Sequence, residues 1–216
     1  QAGIIFAETF QWRHHPQGQT SRDLVRAGRI GTLRLIEAGF SFMLDHPEDV
    51  RWDPAMGGGA LYDVGCYPIS LTRYITGQEP IAVTAQAHWG QTGVDDSVVA
   101  TLEFPGDVLA VINCGFILPL RRYFEITGTE GSLHVNHAYN PKDDVAAEIL
   151  RYGSDRELVE TIPVGKHDSY TLMIEDFHDV VLDGREQPFP PEDAVRNMRV
   201  IDAIYAAARE GRRVTV

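Results

Sequence analysis

Cysteine is scarce in this sequence, which limits the chemistry that thiols can supply. Cys66 and Cys114 are the only two cysteines among 216 residues. Neither belongs to a C-x-x-C motif, and neither has a histidine at the spacing of a zinc site. Because a single pair is weak support for a disulfide, we interpret both as buried thiols in a reducing cytoplasm.

Basic residues are outnumbered as well, with 19 Lys and Arg against 31 Asp and Glu and a formal net charge of −12. Nucleic acids and anionic membranes are bound through Lys and Arg, so this balance argues against both as partners. No apolar run approaches the roughly 20 residues that a membrane-spanning helix needs. The hydrophobic content of 44% is instead typical of a globular chain with a full core.

Several cofactor and hydrolase motifs are also missing. No G-x-G-x-x-G follows a predicted strand, and there is no G-x-x-x-x-G-K-[ST] loop to hold a phosphate. Neither G-x-S-x-G nor H-E-x-x-H occurs. The run Gly57-Gly58-Gly59 is too compact to replace a phosphate-binding loop. The motifs therefore do not predict a chain that binds a dinucleotide unaided.

The segments that are present alternate between strand and helix patterns. Residues 3–12 are β-branched and aromatic, which predicts a strand that ends before Pro16. Further strands are predicted at 32–44, 81–89, 97–104, 108–116, 123–127, 131–135, 146–152 and 158–162, and residues 214–216 are predicted to form a final strand or a tail. Helices are predicted at 20–27, from the glycine run to near Gly77, at 169–182 and at 194–210.

Short, turn-like connections between the middle strands imply antiparallel neighbours. The predicted fold class is therefore α+β, with a large, mainly antiparallel open sheet and helices packed on one face. The other face of such a sheet is either solvated or buried by self-association. We expect a homo-oligomer that forms through the sheet.

Asp63 and Tyr67 are the most suggestive pair of side chains. They are four residues apart on the predicted helix after the glycine run, so they share one face. A carboxylate and a phenol placed in this way can form a proton-transfer pair. The same pattern also fits an acidic residue in the first turn of a helix and a half-buried tyrosine with no chemical role.

His14 and His15 invite a metal interpretation, which we reject. Adjacent residues of a strand point to opposite faces, and no third ligand is close in the sequence. We therefore predict no metal site.

Taken together, the motifs resemble the C-terminal domain of the Gfo/Idh/MocA oxidoreductases. The resemblance covers nearly the whole chain and keeps the order of the family's motifs. The sequences that carry it are ETFQWRHHP at 8–16, GRIG at 28–31, Arg51, GGGALYDVGCY at 57–67, ITGTEGS at 126–132, Phe177, GREQP at 184–188 and PEDAVRN at 191–197. The tyrosine at position 67 resembles the branch that contains glucose-fructose oxidoreductase and dimeric dihydrodiol dehydrogenase.

The resemblance implies a domain organisation and an activity. Residues 1–216 would be the substrate-binding and oligomerisation domain of a longer protein whose Rossmann domain, absent here, binds NAD or NADP. The strand-like start at Gln1 agrees with such a fragment. The parent would be an oxidoreductase acting on a sugar, a polyol or a similar hydroxyl or carbonyl compound. Two alternatives stay open: a non-enzymatic dimerisation or scaffold domain, and a relative that uses NAD to cleave glycosides.

The resemblance also implies roles for individual residues. Tyr67 matches the family's proposed acid/base and Asp63 a residue that helps to place the substrate. Arg13 and His15 match positions near the nicotinamide and substrate, although a structural role at the domain junction suits His15 equally. Arg51 either contacts substrate hydroxyls or pairs with an acid. A phenol with a pKa of about 10 needs a nearby cation to act near neutral pH. The family takes that cation from an E-K-P motif, which this sequence lacks, so we expect the isolated chain to be inactive.

Overall fold

The computed structural model describes residues 4–139, 141 and 144–216. Four α-helices and nine strands are found in this part of the chain. The helices are α1 Pro16–Arg26, α2 Cys66–Thr76, α3 Ser169–Leu182 and α4 Pro191–Glu210. The strands are β1 Leu33–Met43, β2 Ala82–Trp89, β3 Asp95–Phe104, β4 Val108–Gly115, β5 Ile117–Gly128, β6 Gly131–Asn136, β7 Ala147–Gly153, β8 Leu158–Gly165 and β9 Val214–Thr215.

All nine strands belong to one open sheet with the order β8-β7-β6-β5-β1-β4-β3-β2-β9. The pairs are antiparallel except β1 and β4, which run parallel, with Phe40 opposite Cys114. The predicted α+β fold with a mainly antiparallel open sheet is therefore confirmed. The parallel pair arises because β1 is inserted between β4 and β5 and does not pair with the strand that follows it in sequence.

Successive side chains along each strand point alternately to a covered and an open face of the sheet, as the pleat requires. Along β3, Val98 and Ala100 are buried, whereas Val99 is 53% exposed. Helices α2 and α4 pack on the covered face, where Ile36, Ile112 and the buried residues of α4 form one core. No helix in the described ranges is long and apolar enough to cross a membrane.

The strand predicted over residues 3–12 is wrong. Residue 3 lies outside the described residues, residues 4–10 have no regular secondary structure, and Gln11–Arg13 form a single 3-10 turn. A strand is stable only when a neighbour satisfies its backbone hydrogen bonds, and this segment pairs with none of the nine strands. Its side chains Ile4 and Phe6 consequently remain 77% and 58% exposed.

Helix α1 begins at Pro16, four residues before the predicted start. Proline suits the first position of a helix because its missing amide proton has no acceptor there in any case. His15 precedes it as the N-cap and accepts a hydrogen bond from the backbone of Gln17. Proline therefore marks the start of this helix as well as the end of the segment before it.

Both cysteines are free thiols, as the sequence predicts. Cys114 is fully buried in β4, and burial raises the pKa of its thiol well above the ordinary value. Cys66 is only partly buried, and its sulfur donates to the carbonyl oxygen of Asp63 at 3.4 Å.

Candidate active site

The glycine run fits around neighbouring backbone. Gly57, with φ 74°, ends a 3-10 turn. The amide of Gly58 donates to the carbonyl of Asp53 at 2.9 Å, and that of Gly59 donates to the carbonyl of Arg51 at 3.0 Å. A Cβ on Gly58 would lie 2.5 Å from the Arg51 carbonyl oxygen. Glycine lets a backbone come close to a ligand or to another element, and here the contacts are with the backbone of residues 51 and 53.

The helix that follows begins as a π-turn. Leu61–Gly65 has π-helical hydrogen bonding and continues into α2. Such wide turns are rare and occur often at functional sites. A Cβ on Gly65 would lie 2.9 Å from the Cys114 sulfur, so glycine lets this turn lie directly on the sheet. Asp63 lies within the π-turn and Tyr67 in the first turn of α2, with no hydrogen bond between them.

Asp63 is held by Arg51. Arg51 Nε donates to Asp63 Oδ2 at 2.9 Å, and its Nη1 donates to Asp49 Oδ2 at 3.1 Å. The side chains of Arg51 and Asp63 remain 42% and 29% exposed. Of the two roles expected for Arg51, pairing with an acid is the one found in the structure. The ion pair fixes the direction of the Asp63 carboxylate and leaves it open to solvent.

Tyr67 lies in an aromatic cluster with three other rings. The distances from its ring centroid are 4.9 Å to Phe10, 5.3 Å to Phe40 and 5.6 Å to Tyr139. These contacts fix the ring because edge-to-face aromatic pairs have a preferred geometry. Within the described part of the chain, no residue hydrogen-bonds the Tyr67 hydroxyl. The ring is therefore fixed by its neighbours, while the hydroxyl can still form a hydrogen bond with a bound molecule.

The surroundings favour the protonated form of this phenol. Burial raises the pKa of Tyr67 above its ordinary value, and the nearby groups Cys66, Tyr170, Asp63 and Glu8 raise it further. A phenol with a raised pKa stays protonated at neutral pH, where it is a weaker acid than usual and has no free lone pair of a phenolate to act as a base. Base chemistry at Tyr67 would therefore require a cation brought close to the hydroxyl.

Arg13 is buried in an ion-pair network and has a side chain that is only 3% exposed. Its Nη2 donates to Ser70 Oγ at 2.6 Å and to Asp193 Oδ2 at 2.7 Å. Asp193 also accepts from Arg73 at 2.7 Å. Arg13 thus links α2 to α4 behind the Tyr67 cluster, while its guanidinium lies 4.7 Å from the ring centre of Phe10.

His15 is likewise occupied within the fold. It is 1% exposed, and its Nδ1 accepts from the Gln17 amide at 3.2 Å. Its ring lies edge-on to His167 at 5.6 Å. Burial, followed by the proximity of His167, lowers the pKa of His15 to about 4. The neutral ring therefore caps α1, a structural contact within this domain.

The structure brings Asp63, Arg51 and Tyr67 to one region and places Arg13 and His15 in buried structural contacts. Phe10, Phe40 and Tyr139 are parts of the site that the sequence reasoning missed. Alternation along β1 indicates that Phe40 faces the core, but no local pattern reveals which ring it meets. Among the described residues, no group of three His, Cys, Asp or Glu side chains could hold a metal ion.

This chain is similar in sequence to a known domain family and to known dehydrogenases. Residues 19–134 match the sequence model described as the GFO/IDH/MocA C-terminal domain. Over 211 residues the chain is 34% identical to D-xylose 1-dehydrogenase (NADP(+)) 2 of Haloferax volcanii, covering 97% of this chain and 64% of that protein. It is also 32% identical over 131 residues to trans-1,2-dihydrobenzene-1,2-diol dehydrogenase of Macaca fascicularis, covering 60% of this chain and 39% of that protein.

Solved structures share the whole fold. The chain superposes with a TM-score of 0.88 on a 3-ketoreductase from Actinomadura kijaniata in complex with NADP and TDP-benzene. The two are 27% identical, and the match covers 95% of this chain and 63% of the ketoreductase. The chain spans slightly less than two thirds of the length of the xylose dehydrogenase and of the ketoreductase.

Proposed function

The chain belongs to the GFO/IDH/MocA family, and we propose that residues 1–216 are the C-terminal, substrate-binding domain of a longer NAD(P)-dependent oxidoreductase. The substrate class is a sugar, a polyol or a similar hydroxyl or carbonyl compound. A xylose dehydrogenase and a 3-ketoreductase among the relatives support this choice. The observation that carries the proposal is the free hydroxyl of Tyr67, fixed by three aromatic rings beside the open carboxylate of Asp63.

In this proposal Tyr67 transfers the proton and Asp63 orients the substrate. A carbonyl that becomes an alcohol gains a proton on its oxygen, and a positioned phenol can donate it when a nearby cation stabilises the phenolate that remains. Asp63, oriented by Arg51, accepts a hydrogen bond from a neighbouring substrate hydroxyl. In the opposite direction the same cation lets Tyr67 take the proton, and we assign that cation to a part of the parent outside this chain.

A nicotinamide cofactor supplies the hydride when bound. The residues present do not form a complete site for it, because the sequence has no loop to cradle a pyrophosphate, and the amides of Gly58 and Gly59 already donate to the carbonyls of Asp53 and Arg51. We therefore assign its binding to the parent's other domain.

An uncovered apolar surface supports the two-domain proposal. Ile174 and Leu182 of α3 are 64% and 66% exposed, and Ile4 and Phe6 are exposed beside the same end of the fold. A groove of about 210 Å³ runs between residues 7–9 and α3. Exposed apolar patches of this kind mark contact surfaces, and we propose that the cofactor domain covers this one. The two free thiols support a cytoplasmic location.

The test is a substitution in the full-length parent. Tyr67→Phe keeps the ring contacts and removes only the hydroxyl, so we expect turnover to fall by about 10²-fold or more with little change in melting temperature. Tyr74→Phe is the matched control because that hydroxyl, also on α2, bonds Gln19 at 2.7 Å. Equal turnover in wild type and Tyr67→Phe would contradict the proposal.

Two further measurements test whether this chain binds the cofactor and which reaction the parent catalyses. The 216-residue chain alone should show no turnover and no quenching or enhancement of NADPH fluorescence. Tight NADPH binding by this chain would contradict the assignment of the cofactor to another domain. In the parent, steady exchange of free NADP(H) during turnover separates simple redox chemistry from glycoside cleavage with a retained cofactor.

A further inference from the structure

The helix that carries Asp63 and Tyr67 has no cap of its own. Ala60 precedes the π-turn, and its methyl side chain cannot accept a hydrogen bond. The first amides of any helix need acceptors from elsewhere. The amide of Leu61 donates instead to Asp95 Oδ2 at 2.7 Å. The Asp95 carboxylate, at the start of β3, therefore caps the beginning of this helix.

The second oxygen of this carboxylate is also engaged. The hydroxyl of Tyr205, on α4, donates to Asp95 Oδ1 at 2.6 Å. Asp95 is 1% exposed and Tyr205 7% exposed. Hydrogen bonds to a charged acceptor are the strong ones, and a negative charge is favoured at the start of a helix. Asp95 thus joins the sheet, α4 and the helix start through one buried group.

The last glycine of the run fits this arrangement. Gly59 has φ 124°, a conformation that side chains other than glycine rarely adopt. A Cβ at this position would overlap Asp95 Oδ1 and lie 3.0 Å from the Tyr205 hydroxyl oxygen. The carbonyl of Gly59 then accepts from the amide of Asp63 at 3.1 Å. The backbone of Asp63 is therefore only two hydrogen bonds away from the Asp95 carboxylate.

We propose that Asp95, oriented by Tyr205, is a positioning residue that fixes the start of the helix presenting Asp63 and Tyr67. The inference rests on the function proposed above, because a proton donor matters only if the parent catalyses the reaction. Asp95 touches neither Asp63 nor Tyr67 and acts through the backbone of residues 59–63. A misplacement of about 1 Å at a catalytic group can cost as much as a hundredfold in rate.

The first experiment needs no activity and uses the 216-residue chain. Amide hydrogen exchange at Leu61 is measured for wild type, Asp95→Ala and Asp95→Asn. We expect exchange at least about tenfold faster in Asp95→Ala and within about threefold of wild type in Asp95→Asn, whose side-chain oxygen still accepts the bond. Unchanged protection of Leu61 in Asp95→Ala would overturn the proposal.

Asp96→Asn is the matched control for both experiments. Asp96 is the next residue of β3, and its carboxylate accepts from the ring of His88 at 2.8 Å instead of from the start of the helix. If Asp95→Ala does not fold, Tyr205→Phe replaces it. That variant frees one oxygen of Asp95, and we expect exchange at Leu61 about two- to fivefold faster. No change in Tyr205→Phe would count against the proposed role of Tyr205 in orienting Asp95.

The second experiment measures kcat and KM of the full-length parent. We expect kcat to fall about 10- to 100-fold in Asp95→Ala, with KM changed less than about threefold. Asp95→Asn should recover most of the rate, and Asp96→Asn should match wild type. If Tyr67→Phe abolishes turnover while Asp95→Ala does not lower it, the positioning role is overturned. If Tyr67→Phe has no effect, the proposed function fails, and exchange at Leu61 alone decides whether Asp95 fixes the start of the helix.

Discussion

Arg51 donates from Nε to Asp63 Oδ2 at 2.9 Å, and this bond sets the direction of an open carboxylate beside Tyr67. The partners lie 12 residues apart, on opposite sides of the glycine run. The compact turn at Gly57–Gly59 folds the chain back on itself and brings them together. The turn therefore has a role in the site even though it holds no ligand of its own.

Loss of this ion pair should affect substrate binding more than stability. In the full-length parent, we expect Arg51→Ala to raise KM about tenfold, since Asp63 loses its fixed direction. The free energy of unfolding should fall by less than about 1 kcal/mol, because exposed ion pairs contribute little. KM is measured by steady-state kinetics, and the free energy of unfolding is measured with urea. The control is Arg29→Ala, which breaks the exposed ion pair between Arg29 and Glu160. An unchanged KM would show that orientation of Asp63 by Arg51 does not contribute to substrate binding.

His15 should make the chain less stable in mild acid. Its folded pKa is lowered from 6.5 to about 4, so the folded state favours the neutral ring. Between these values the unfolded chain binds more protons, and stability falls as pH falls. The full contribution is present above pH 6.5, and at most about 3 kcal/mol is lost by pH 4.

The measurement is urea unfolding of wild type and His15→Asn at pH 7.5, 6 and 5. Asparagine keeps an acceptor for the Gln17 amide but does not titrate. The difference in unfolding free energy between the two proteins should shift in favour of His15→Asn as the pH falls. A difference that stays constant across the three pH values would contradict the assignment.

Arg13 should prove essential to stability. Removing one member of a buried ion pair leaves the partner's charge uncompensated, which costs roughly 3–5 kcal/mol. We expect Arg13→Leu to destabilise the 216-residue chain by about 3 kcal/mol, measured by urea unfolding. Arg34→Leu is the control, since Arg34 is half exposed and lies 4.0 Å from Asp107. Equal stabilities of the two variants would favour a direct role for Arg13 in the site.

Self-association through the open face of the sheet remains a prediction. Val99 and Leu109, on the neighbouring strands β3 and β4, are 53% and 46% exposed on that face. We expect light scattering to give a dimer or larger assembly for wild type and a monomer for the double variant Val99→Lys, Leu109→Lys. Val195→Lys, on α4 and 53% exposed, is the control that should leave the assembly intact. A monomeric wild type at high concentration would exclude this interface.

The sequence predicted most of the strands and all four helices because their signals are local. Alternation along 97–104 follows from the pleat, and the apolar spacing of α4 follows from the helical turn. The same rules placed Asp63 and Tyr67 on one helix. They failed at residues 3–12, where residue types typical of a strand have no partner strand, and at Pro16, which begins a helix.

By itself, the sequence determined the α+β architecture, the free thiols and the helix that carries Asp63 and Tyr67. Only the tertiary structure decided that β1 pairs in parallel with β4, that Phe10, Phe40 and Tyr139 surround Tyr67, and that Asp95 caps the helix from the sheet. Local patterns report backbone preference and burial, which depend on near neighbours along the chain. Contacts such as Leu61 with Asp95 join residues 34 positions apart, and only the packing of the helix on the sheet determines them.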